Sequence, residues 1–146
     1  MKKIICAVLA FALLLTGLCG CGQKAVAKDA FRICISNHSG EKIRGINLRL
    51  TAGDGTQQSV YLGKGDNGVV LADDQLSYDF TDEKFKDLSH LLDCVIEVTV
   101  VAENGDRVPA TNDITISIVS FGEAYYYSMD GSAKNGYHLS KTAKPY

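Results

Sequence analysis

The sequence predicts a mostly β protein: an antiparallel β-sandwich of about 7–9 strands with one short helix near residues 82–92. Three observations predict it. From Ala30 onward, short runs carry apolar residues at every second position, the period of a half-buried strand. Clusters of Gly, Asn and Asp separate those runs at regular intervals, as turns do. One stretch alone changes to helical spacing.

The first run is Phe31-Arg32-Ile33-Cys34-Ile35, turned by Asn37-His38-Ser39-Gly40. Lys42 to Thr51 alternates next, with Arg44, Ile46, Leu48 and Leu50 read onto one face. Ala52-Gly53-Asp54-Gly55 is a strong turn before the short strand Ser59–Leu62. The glycine-rich GKGDNG of residues 63–68 leads into Val69-Val70-Leu71, and residues 75–80 form another strand. In Thr81 to Asp93, Phe85, Leu88 and Leu92 recur at helical spacing; Thr81 can cap that helix, and Asp82 and Glu83 suit its first turn. Asn104-Gly105, between Val98–Val100 and Val108, signals a type I′ hairpin. Ile114, Ile116 and Ile118 alternate with Thr115, Ser117 and Val119; strands at 124–129 and 137–139 close the domain.

Ahead of the domain stand Met1-Lys2-Lys3, an apolar core from Ile4 to Leu18 and a small-residue ending, the three parts of a secretory signal. The apolar core would make ~22 Å of helix, short against a hydrocarbon layer of ~30 Å. Its ending, Leu18-Cys19-Gly20-Cys21, resembles a bacterial lipobox. The resemblance implies that residues 1–20 are removed and that Cys21 is acylated and becomes the first residue. Residues 21–29 then form the lipidated cysteine and a short tether, reaching ~26–29 Å if extended, and residues 30–146 form one domain. The expected location is the exported side of the cell membrane or outer membrane. Gly22 after the lipid site lacks the Asp that resembles an inner-membrane retention signal.

Without residues 1–20 the chain loses two lysines and no acid, so thirteen basic side chains face seventeen acidic ones, a formal charge of −4. No basic stripe is present, which leaves nucleic-acid binding without its electrostatic footprint. Of five cysteines, Cys34 and Cys94 remain beside Cys21. Strand parity puts Cys34 with Arg32, away from the Phe31-Ile33-Ile35 face, and Cys94 on the Ile96-Val98-Val100 face. Two free thiols are expected, since a bridge needs both side chains on facing surfaces.

Residues 98–116, centred on Glu103-Asn104-Gly105-Asp106-Arg107-Val108-Pro109-Ala110, resemble the strand-turn-strand of transthyretin-like and collagen-adhesin B-type modules. An aromatic strand follows in those modules, as Tyr125-Tyr126-Tyr127 could here. The resemblance implies a β-sandwich and no particular activity. A Lys–Asn crosslink of the adhesin type would draw on Lys42 or Lys134 with Asn112 or Asn135, by residue type alone. The opening from Phe31 to Ile46 is similar to the first hairpin of many small exported β-sandwich proteins.

No catalytic motif emerges. His38-Ser39 are neighbours in a turn, without the G-x-S-x-G of a nucleophile elbow. His38, His90 and His138 have no metal-ligand spacing to one another, and neither cofactor nor metal is expected. Asp66, Asn67, Asp73, Asp74, Asp79, Asp82 and Glu83 form an acidic neighbourhood without a contiguous calcium loop. Tyr125, Tyr126 and Tyr127 are the candidate ligand contacts, because an outward tyrosine joins a large apolar body to a hydroxyl. The expected function is a non-enzymatic, membrane-anchored lipoprotein that binds an envelope protein or a glycan. The alternatives are a cell-envelope enzyme without a recognisable motif, and a calcium-stabilised glycan-binding module.

Overall fold

The computed structural model describes residues 24–65, 68–87 and 91–145. The lipobox and Cys21, with Asp66, Asn67 and His90, lie outside the described residues. Nine strands are present among them: β1 Ala30–Asn37, β2 Ile43–Thr51, β3 Gln57–Gly63, β4 Gln75–Thr81, β5 Leu92–Ala102, β6 Arg107–Pro109, β7 Ile114–Ile118, β8 Ala124–Ser132 and β9 Gly136–Thr142. They form two sheets, one ordered β4-β1-β8-β9 and the other β3-β2-β5, with β6 and β7 both pairing to β5.

The alternation of the sequence becomes the core directly. Phe31, Ile33, Ile35, Phe80, Tyr127, Met129, Tyr137 and Leu139 face inward from the first sheet; Ile46, Leu48, Leu50, Ile96, Val98, Val100 and Ile114 meet them from the second. At one end, Phe31 stacks on Phe80 with centroids 5.3 Å apart, and Phe85 and Phe121 close in at 6.0 Å each. That end also holds the entry to β1, the segments after β4 and β7, and the C-terminal residues. The opposite end gathers residues 38–42, 64–65, 68–74, 103–106 and 133–135.

Several sequence expectations change. The sandwich is not wholly antiparallel: β1 pairs with β8 in parallel, Arg32 opposite Ala124 and Asn37 opposite Met129. Consequently β1 and β2 do not form a hairpin, because the chain crosses from one sheet to the other at residues 38–42. The helix near 82–92 is reduced to a single 3-10 turn, Asp82–Lys84, followed by Phe85 in extended conformation. Thr81 makes no side-chain cap; instead Asp54 takes the amides of Lys86 and Asp87, and Phe85 inserts into the aromatic cluster. Leu88 lies outside the described residues.

On β2 a bulge between Ile43 and Gly45 shifts the register, so Ile43 is buried and Arg44 exposed. A bulge carries one extra residue and reverses the parity beyond it. The β5–β6 hairpin forms where Asn104-Gly105 signals it. However, Gly105 alone takes a positive φ there (95°), so the turn is not type I′. Val70 makes an isolated bridge to Ile43, not a strand. Lys42 and Lys134 are exposed, so neither meets the buried-lysine requirement of a crosslink.

Candidate functional site

Two surfaces bear chemistry, one on the outside of each sheet. The first holds the tyrosine run. Register puts Tyr125 and Tyr127 opposite Ile33 and Ile35, and Tyr126 opposite Cys34. Tyr127 therefore belongs to the core. Tyr125 meets Phe31 edge-on at 6.3 Å, and its hydroxyl accepts the Ser120 amide at 2.8 Å, fixing the segment before β8. Only Tyr126 presents its ring to the outer face, where it is largely covered. Burial pushes its phenol pKa up, as does Cys34, against the lowering effect of Arg32.

Beside Tyr126, Arg32 forms a two-pronged pair with Asp79, Nε–Oδ1 2.5 Å and Nη2–Oδ2 2.8 Å. Its remaining nitrogen donates to the Lys24 carbonyl at 2.6 Å. Three further backbone bonds hold this entry segment: Ala30 N to Ala27 O, Asp82 N to Asp29 O and Gly122 N to Ala30 O. A groove of about 550 Å³ runs along it, lined by Lys24, Arg32, Glu123, Tyr126, Lys141 and Lys144 among others. Cys34 lies between these groups, fully buried although it faces outward, because β1 is a central strand. Burial pushes its thiol up to about 11. Cys94 faces inward from the other sheet; burial raises its pKa as well, and both cysteines are free.

Further along the same face, His38 Nδ1 lies 2.9 Å from Ser128 Oγ, and Ser128 Oγ donates to Asp130 Oδ2 at 3.0 Å. His38 Nε2 is 3.6 Å from Asp73. The histidine thus meets a serine ninety positions away in the chain, and not its neighbour Ser39. The Ser128 hydroxyl proton thus has two acceptors within reach, the Asp130 carboxylate and the His38 ring nitrogen. Ser39 instead donates to Asn37 Oδ1 at 2.6 Å. Asn37 is buried, and its Nδ2 ties Glu41 O and Leu71 O together. Glu41 Oε2 in turn accepts from Tyr137 Oη at 2.8 Å and Ala133 N at 2.9 Å.

The other calcium and zinc candidates are dispersed. Asp74 pairs with Lys64 at 2.6 Å, Asp79 with Arg32, and His138 faces Thr111. Among the described residues, no three His, Cys, Asp or Glu side chains gather at metal-ligand spacing.

The second surface was missed by sequence reasoning. On the outside of the second sheet, Tyr61 is 53% exposed, and its hydroxyl donates to the Arg44 carbonyl at 3.0 Å. Its cross-strand partner is Asn47, and Gly63 stands opposite Gly45 two pairs further along, on the same face of the sheet. The only sequence signal is Tyr61-x-Gly63 on one strand face; the bulge that brings Gly45 and Arg44 beside it has no local signature.

The sequence matches no family model and no curated protein. Among solved structures, the chain is similar to a protein from Eubacterium rectale determined by NMR, at 12% identity and TM-score 0.41, over 84% of this chain and 97% of that one. It is also similar to part of listeriolysin O, at 10% identity and TM-score 0.38, over 80% of this chain and 23% of the toxin. A Gram-negative toxin gives 9% identity and TM-score 0.39, over 81% and 24%. The chain thus spans about a quarter of either toxin.

Proposed function

We propose that this chain is an exported lipoprotein, held to a membrane through Cys21, whose β-sandwich binds an envelope partner without catalysis. The observation that carries the reading is the docking of residues 24–29 onto the domain. Arg32 holds the Lys24 carbonyl, and Asp29 and Ala30 are bonded to the segments after β4 and β7. A lipid on Cys21 would therefore be three residues from a fixed point, a reach of only ~10 Å. The aromatic end of the sandwich would lie against the headgroups and the opposite end would face away from them. Among the described residues, no helix is long and apolar enough to cross a membrane.

Expression of the full chain with an alkyne-bearing fatty acid tests the anchor. Label and membrane fractionation are expected in the wild type and lost in Cys21→Ser. A wild type that is unlabelled and leaves the membrane fraction would sink the reading.

A second reading, a cell-envelope hydrolase, draws on the 2.9 Å contact between His38 and Ser128. The competing bond from Ser128 to Asp130 weighs against it. A fluorophosphonate probe separates the two readings: specific labelling of Ser128 would favour the hydrolase.

A further inference from the structure

The Tyr61 ring lies over bare backbone. A Cβ placed on Gly45 would come within 2.7 Å of the Tyr61 hydroxyl and 2.8 Å of Cζ; one on Gly63 would come within 2.9 Å of the hydroxyl and 3.0 Å of Cε1. The glycine pair thus leaves a hollow in the sheet surface, and the hydrogen bond to Arg44 O holds the ring in it. One face of the ring rests on the sheet while the residue stays half exposed. An aromatic held this way has given up its rotamer freedom before any ligand arrives, which lowers the cost of binding.

Two hollows flank the ring; one, which shares Arg44 and Tyr61, is lined by Lys64 and Glu103, and the other is cationic. The cationic hollow, of about 410 Å³, is lined by Arg44, Asn47, Tyr61, Val101, Gly105 and Arg107, with no carboxylate among them. Arg44 is aimed there by its Nε bond to the Glu103 carbonyl at 2.8 Å, and Arg107 stands on β6 opposite Val101. In the floor, the Asn47 side-chain nitrogen is buried with no hydrogen-bond partner. A buried donor without a partner is costly, and a ligand oxygen would relieve it. Nearby cations are already engaged: Arg49 pairs with Glu97, and Lys64 with Asp74.

The geometry points to a binding site for a glycan that carries a carboxylate. The apolar face of one sugar ring stacks on Tyr61, the carboxylate meets the guanidinium groups of Arg107 and Arg44, and the Asn47 amide turns to donate to a ring substituent. A guanidinium fork matches a carboxylate with two parallel hydrogen bonds, and an open aromatic face suits the C–H side of a pyranose. The site lies toward the end of the sandwich remote from residues 24–29. This assignment deepens the proposed function, and rests on it for the placement of that end away from the membrane.

Isothermal titration of the full chain in detergent micelles tests it. The probes are a tetrasaccharide of alternating N-acetylglucosamine and N-acetylmuramic acid, and chitotetraose, which keeps the rings but lacks the carboxylates. The acidic tetrasaccharide is expected to bind at least about tenfold more tightly than chitotetraose. Tyr61→Ala and Arg107→Ala should each weaken it by about tenfold or more. Arg107→Ala keeps the assay decisive if Tyr61→Ala fails to fold, since Arg107 is exposed on a short edge strand. Absence of binding at millimolar concentration, equal affinity for the two probes, or wild-type affinity in Arg107→Ala would each overturn the assignment. Lipid attachment plays no part in micelles, so a negative titration leaves the Cys21 assay untouched, and the reverse holds.

Discussion

Replacing Asp54 with asparagine tests how the β2–β3 turn holds the segment that crosses between the sheets after β4. Asp54 Oδ1 accepts the Thr56 amide at 2.7 Å, and Oδ2 accepts the amides of Lys86 at 2.8 Å and Asp87 at 3.0 Å. Desolvation works to raise its pKa, but the bonds from Thr56, Asp87 and Lys86 outweigh it and hold the carboxyl at about 2, below its ordinary 3.8. A folded-state pKa below the unfolded one means the stabilisation is complete above about pH 4 and disappears as pH falls through about 2. The displacement corresponds to roughly 2.4 kcal/mol at full value, and solvent screening of a half-exposed group reduces it to about 1–1.5 kcal/mol. Asp54→Asn keeps one acceptor oxygen and loses the charge. It should therefore cost about 1–1.5 kcal/mol at pH 7, or about 3–6 °C in Tm. Urea unfolding of both proteins at pH 7, 5, 4 and 3 measures the difference. It should hold its value down to pH 5 and fall to about half by pH 3. A difference that is constant across the series, or absent at pH 7, would refute the account of Asp54 as a charged anchor.

Arg32→Met should destabilise by about 2–3 kcal/mol, because Asp79 then keeps a partly buried charge without its partner, whereas adding Asp79→Leu should recover most of the loss; thermal melts of the single and double variants decide. Gly45→Ala should cost at least about 2 kcal/mol, since the new methyl would overlap the Leu62 carbonyl oxygen as well as the Tyr61 ring. Tyr61→Ala in the same chain should not rescue it, because the backbone clash remains; full recovery would show that the ring alone sets the need for glycine. In the folded protein, Cys34 and Cys94 should resist alkylation at pH 7.5, with burial raising both pKa values. Both should react once urea unfolds the chain, and rapid native labelling of either would contradict its burial.

The strands were legible because a half-buried strand writes its two faces into alternate residues. Phe31-Ile33-Ile35, Ile46-Leu48-Leu50 and Ile96-Val98-Val100 are all core, as their period predicts. Alternation says nothing about which strands are neighbours, so the parallel pairing of β1 with β8 was invisible. It also fails wherever register slips, which is how Arg44 came to be read onto the face that Ile43 occupies. The tyrosine run shows the same boundary. Its parity was readable, but only the pairing with Ile33 and Ile35 decides that Tyr126 is the outward member. The helical spacing of Phe85, Leu88 and Leu92 misled because Phe85 was drawn into the aromatic end of the core, and its neighbours' amides went to Asp54. Contacts such as His38 with Ser128, or Tyr61 with Gly45, join distant segments and leave no local trace.

The parallel union of β1 with β8 also sets an order in time. A chain delivered N-terminus first presents β1 early, and β4 can claim one of its edges when residues 75–81 arrive. Its other edge stays open until residues 124–132 emerge, after every strand of the second sheet. Pairings between such distant segments close slowly, and an open edge beside Ile33 and Ile35 is a template for a neighbouring chain. If the chain is tethered through Cys21 as proposed, it would pass that interval beside other tethered copies, with one edge of β1 still open.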